Sequence, residues 1–142
     1  MSYEFIEGLT TADVAFEAKG RTLNELFESS AMAVFDIMAN PKKVKIKIKK
    51  EIFLEKDSLE ELMYSFLDEI LFLKDSEFLV FNSCKTDIKE VKGKIKLKAS
   101  FFGDKIDYKT QSLKVDPKAI TMHKFEVKKD KNGYSARVVV DI

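Results

Sequence analysis

The sequence predicts an α+β fold: a two-layer sandwich in which a largely antiparallel sheet carries two amphipathic helices on one face. Three observations predict it. Two capping boxes, Thr22-Leu-Asn-Glu25 and Ser58-Leu-Glu-Glu61, each open a run of apolar residues at helical spacing. Much of the remaining chain alternates apolar and polar residues with period two. After residue 90 no helical pattern interrupts the alternation, so those strands are expected to form an antiparallel meander.

Taken in order, Ala12 to Lys19 reads as a strand, with Val14, Phe16 and Ala18 on one face and Asp13, Ala15, Glu17 and Lys19 on the other. Gly20 ends it. Leu23, Leu26, Phe27, Val34, Ile37 and Met38 then give a first helix from Leu23 to Ala39, stopped by Asn40-Pro41. Val44, Ile46 and Ile48 alternate with lysines, which predicts a strand near a sheet edge, where lysine discourages unwanted pairing. Leu59, Leu62, Met63, Phe66, Ile70 and Leu73 form the apolar stripe of a second helix ending near Lys74, and Glu77 to Phe81 reads as a short strand. Ile95, Leu97, Ala99 and Phe101 alternate, with Gly103-Asp104 turning the chain toward Ile106 and Tyr108. Asn132-Gly133 is a hairpin signal, and Tyr134, Ala136, Val138, Val140 and Ile142 share a face beyond it.

The 142 residues, 45% of them hydrophobic, suit one domain with a single core, spanning 1–142, and argue against disorder. Basic and acidic residues nearly cancel, 25 against 24, so no long-range field of one sign surrounds the molecule. Only Arg21 and Arg137 are arginines, which disfavours a dedicated reader of phosphates and bases. The lysines from Lys42 to Lys50 read as a solvated strand face, since no aromatic residue is interleaved to stack on bases. Weak or no direct nucleic-acid binding is expected. A lone Cys84 fits a reducing compartment, and no apolar run is long enough to span a membrane. The start of the chain lacks a signal-peptide pattern, so a cytoplasmic location is expected.

No catalytic set stands out. Cys84 has no histidine near it in sequence, and one cysteine with one histidine cannot complete a zinc shell. His123, on the predicted face of Phe125 and Val127, reads as a buried core histidine. The acids are more informative. Asp13 opens the first long strand and Asp141 closes the last, each off its apolar face. Were those strands antiparallel neighbours, both carboxylates would meet at one rim beside the carboxylate of Ile142. Three such groups repel unless a cation joins them, and hard oxygens suit Ca²⁺ or Mg²⁺. Pattern alone favours two ordinary surface aspartates over such a site.

Four stretches together carry a family resemblance. They are Thr10-Thr-Ala-Asp13-Val with Ala18-Lys-Gly20 and Thr22-Leu-Asn-Glu-Leu-Phe27; Phe66-Leu-Asp-Glu-Ile-Leu-Phe-Leu73; Lys118-Ala-Ile-Thr-Met-His123; and Tyr134-Ser-Ala-Arg-Val-Val-Val-Asp-Ile142. In order, spacing and overall length they resemble the archease family. The resemblance implies a protein cofactor that promotes guanylylation and multiple turnover of the tRNA-splicing RNA ligase, with a tRNA methyltransferase as a second implied partner. It also implies a metal site, which maps onto Asp13, Asp141 and Ile142. The family usually has histidine where this chain has Thr10. Three functions of different class therefore compete: a ligase activator, a chaperone-like modulator of RNA-modifying enzymes, and a small metal-dependent hydrolase. The last is the weakest, for want of a nucleophile.

Overall fold

The structure, a computed structural model, describes residues 1–7 and 13–142. Both capping boxes start helices. Thr22 Oγ1 accepts from the Glu25 N–H at 3.1 Å and opens α1, Leu23–Met38, while Ser58 Oγ accepts from the Glu61 N–H at 3.2 Å and opens α2, Leu59–Glu77. α2 outlasts its expected end by nearly a turn and stops where Phe78 takes the left-handed conformation at φ 56°.

The strands are β1 (Ser2–Ile6), β2 (Asp13–Gly20), β3 (Ile48–Lys56), β4 (Leu79–Val91), β5 (Lys94–Lys105), β6 (Ala119–Asp130) and β7 (Gly133–Asp141). They pair antiparallel throughout but divide into two sheets, β1-β2-β7-β6 and β3-β5-β4. The α+β class stands, yet the strands after residue 90 are not one meander: the chain leaves one sheet after β5 and enters the other at β6. Each helix lies across a seam between the sheets. α1 packs on β1 and β2 of the first and β4 of the second; α2 packs on β6 of the first and β3 of the second.

Three local expectations are corrected. The lysine-rich run from Val44 is not yet strand: Pro41–Lys43 forms a 3₁₀ turn capped by Asn40, and Asn82 Nδ2 donates to the carbonyls of both Pro41 and Val44. Those side-chain bonds hold the start of the segment in the turn; the Lys47 N–H reaches the Gly103 carbonyl of the sheet, and β3 begins at Ile48, at the expected edge. The short strand over Glu77–Phe81 is instead the start of thirteen-residue β4. Gly103 does not turn the chain; it sits within β5, where an added Cβ would lie 2.0 Å from the Val80 carbonyl oxygen.

One core joins all layers. Phe101 of β5 stacks its ring within 6.2 Å of Phe35 on α1, 5.6 Å of Phe66 on α2 and 5.5 Å of Phe81 on β4. All four are fully buried. The open edge of β4 is closed by α1: Glu28 accepts from the Thr86 N–H and hydroxyl, and Asn24 Oδ1 accepts from the Ile88 N–H at 3.0 Å. At Thr86 and Ile88 the edge donors are thus taken and are not open to another strand.

Candidate functional site: the carboxylate rim

β2 and β7 are antiparallel neighbours, and their register sets Asp13 directly opposite Asp141. Opposed residues in such a pair point the same way, with Cβ atoms about 5 Å apart. The alternation that carries Phe16, Ala18, Val138 and Val140 into the core carries both aspartates to the other face. Asp13 is half-buried and Asp141 exposed. Ile142 follows directly, half-buried, its side chain packed on the core. On the far side of β7, Ala119 of β6 pairs with Asp141, and the Lys118 N–H donates to the Asp141 carbonyl oxygen at 2.7 Å. Asp141 is thereby held from both flanks.

The surroundings of the rim are poor in counter-charge. Neither Asp13 nor Asp141 forms an ion pair among the described residues. The next row along the same face is Ile6, Ala15, Val139 and Thr121. Ala15 and Val139 are buried there, 2% and 0% exposed, although they lie off the core face. The Thr121 hydroxyl in that row is buried with no hydrogen-bond partner among the described residues. Among the described residues of this face the third row brings a cation, and it is spent locally: Arg137 donates to Glu126 at 3.1 Å and to the Lys124 carbonyl at 3.1 Å. Two facing carboxylates without a cation raise each other's energy, and hard carboxylate oxygens are the donors that Ca²⁺ and Mg²⁺ take. The residues thus fit such an ion in chemistry. Among the described residues no group of three or more His, Cys, Asp or Glu side chains is gathered to hold a metal.

The other sequence candidates fall elsewhere. His123 is exposed, against the expectation of a core histidine. The pairing of β6 with β7 slips between Thr121 and Glu126, and Lys124 adopts φ 53°; that irregularity turns Met122 and His123 outward. Cys84 lies beside Glu28, and burial, then that carboxylate, push its thiol well above the ordinary range, which suits an inert side chain. Thr10 lies outside the described residues.

One residue near the site went unremarked in the sequence. Lys74 is 6% exposed, and its ammonium reaches Asp75 at 2.8 Å, Asp116 at 2.5 Å and the Pro117 carbonyl at 2.5 Å. Its signal was legible: it continues the helical stripe of Leu67, Ile70 and Leu71, an apolar position holding a charge.

Comparison with known proteins follows the whole chain. The Archease protein family matches residues 3–142. The chain is 36% identical over 141 residues to Protein archease of Methanosarcina barkeri, covering 99% of this chain and 95% of that protein. To Protein archease of Archaeoglobus fulgidus it is 38% identical over 142 residues, covering 100% of both. Among solved structures, the solution structure of Methanobacterium thermoautotrophicum protein 1598 superposes with a TM-score of 0.86 at 31% identity, covering 99% of this chain and 98% of that one.

Proposed function

The chain belongs to the archease family, and on that premise we propose that it is a protein cofactor of a tRNA-splicing RNA ligase, promoting the ligase's guanylylation and multiple turnover. It works by contact with that enzyme and is not itself a catalyst. The observation that carries this reading is the register of Asp13 opposite Asp141, with Ile142 next in the chain. Asp13, Asp141 and the Ile142 carboxylate are the proposed ligands of a divalent cation, Ca²⁺ or Mg²⁺. When bound, such an ion neutralises phosphate charge and aligns oxygens in nucleotidyl transfer. The chain's own part is positional. β2 and β7 hold the two carboxylates side by side at the end of the sheet, and the Lys118 N–H fixes the backbone between Asp141 and Ile142. The rim is exposed at Asp141, so a partner active site can approach it.

Direct RNA binding is weak in this reading, because near-zero net charge and two arginines give little phosphate affinity. No helix among the described residues is long and apolar enough to cross a membrane.

The test is ligase guanylylation with and without an Asp13→Ala/Asp141→Ala double variant. Both residues lie off the core face, so the variant should stay folded, yet stimulation should fall to the level of ligase alone. Undiminished stimulation by the folded variant would exclude the acidic rim. Adding one residue after Ile142, which moves the end carboxylate, should weaken Ca²⁺ and Mg²⁺ binding in calorimetry. Turnover of phosphoesters by the chain alone would favour a hydrolase, and recovery of a tRNA methyltransferase but no ligase from extract would favour the modulator of RNA-modifying enzymes.

A further inference from the structure

We infer that Lys74 is a positioning residue for the carboxylate rim, acting through the segment that joins the two sheets; this rests on the rim reading above. Lys74 is the only buried charged side chain among the described residues. An ammonium removed from water is tolerated only when its donors are met. It donates to the Asp116 carboxylate and the Pro117 carbonyl, and the Asp75 carboxylate lies beside it as an ion pair at 2.8 Å. Asp75 is its sequence neighbour, but Asp116 and Pro117 belong to the connection from β5 to β6. That connection has no regular structure from Ile106 to Lys118 and is tied down point by point. The buried Gln111 side chain bonds the Asp107 N–H and the Lys105 carbonyl. The N–H groups of Lys114 and Val115 bond the last carbonyls of α1, at Met38 and Ile37. Lys74 then clamps Asp116 and Pro117, and the next donor along the chain is the Lys118 N–H, which bonds Asp141. Lys74 is therefore the last anchor before the rim, one residue from the N–H that holds Asp141 in place.

A purely structural ion pair and a positioning one behave differently when removed. Removing one partner of a buried pair is costly where it strands a buried charge, but Asp75 and Asp116 are 63% and 73% exposed, so water can solvate both carboxylates when Lys74 is replaced by an apolar side chain of similar size. Displacing the support of a metal ligand lowers metal affinity by about 10–100-fold. The test uses the full chain and three variants: Lys74→Met, Asp116→Asn as an exposed-side change that spares the core, and Asp13→Asn as the ligand control. Ca²⁺ and Mg²⁺ affinities are measured by calorimetry, Tm by thermal unfolding, and exchange of the Lys118 amide by NMR in metal-free protein. Lys74→Met should bind metal about tenfold more weakly at a Tm near that of the parent, and Asp116→Asn should weaken metal binding in the same direction with some loss of Tm, since it takes a carboxylate from the buried ammonium; both should show faster exchange at Lys118. Parental metal affinity in both, or a Lys118 amide as protected as in the parent, would overturn the role of Lys74. If Asp13→Asn leaves metal affinity unchanged while Lys118 exchange rises in Lys74→Met, the rim reading fails and the positioning role falls with it. In that case the anchor itself remains as a fact of the fold.

Discussion

At the scale of single residues, the useful distinction is between charges that are matched and charges that are not. Lys74 is buried and matched by two carboxylates and the Pro117 carbonyl, so it holds structure. Asp13 and Asp141 face each other, and neither forms an ion pair among the described residues. Cys84 belongs to a third kind, a group kept neutral. Burial raises its thiol above the ordinary 9.0, and the Glu28 carboxylate adds to the rise. The unfolded thiol ionises where the folded one does not. The stability this group contributes is therefore full below about pH 9 and fades as pH rises beyond it. Cys84 should react with a thiol-specific reagent slowly in native protein at pH 8 and rapidly in denaturant, as followed by absorbance. Equal rates in the two conditions would show an accessible thiolate instead. Tyr3 shares this logic: its phenol is pushed up to about 12 by burial and by Asp36, whose carboxylate accepts from its hydroxyl at 3.2 Å.

At the scale of elements, helix starts are local and strand assignments are not. Thr22 and Ser58 each satisfy a donor three residues ahead, which is why both helices begin where the sequence places them. Thr22→Ala and Ser58→Ala should each lower stability by about 1 kcal/mol in urea unfolding, with the slope unchanged. The two caps lie on different helices, so the losses should add in the double variant. A loss confined to one of them would mean that the other helix start is held by packing alone. The lysine-rich segment before β3 shows the opposite case. Its alternation is real, but Asn82, almost forty residues on, takes the carbonyls that a strand there would need. His123 likewise kept its period-two place in the sequence, and the slip between Thr121 and Glu126 in β6 turned it to solvent.

At the scale of the whole molecule, the two sheets share one buried core, which runs from Phe16, Val138 and Val140 of the first to Leu97 and Phe101 of the second through both helices. Phe101 touches rings from both helices and from β4. Phe101→Ala should cost about 3–5 kcal/mol, the range for large-to-small change in a packed core. Near-ultraviolet and far-ultraviolet circular dichroism should still report one coincident transition; two separated transitions would mean that the sheets unfold independently. The rim is also a property of the whole, since Asp13 and Asp141 come from opposite ends of the chain. What the sequence determined by itself was every feature set by residues within a few positions of one another: the caps, the alternation of β2, β5 and β7, and the apolar stripes of α1 and α2. It also placed Asp13 and Asp141 off the core face, because alternation alone decides that. Only the tertiary structure decided how the strands were shared between two sheets, and that Lys74 of α2 reaches Pro117. Those outcomes depend on contacts between residues far apart, whose energies come from burial and hydrogen bonding that no local pattern encodes.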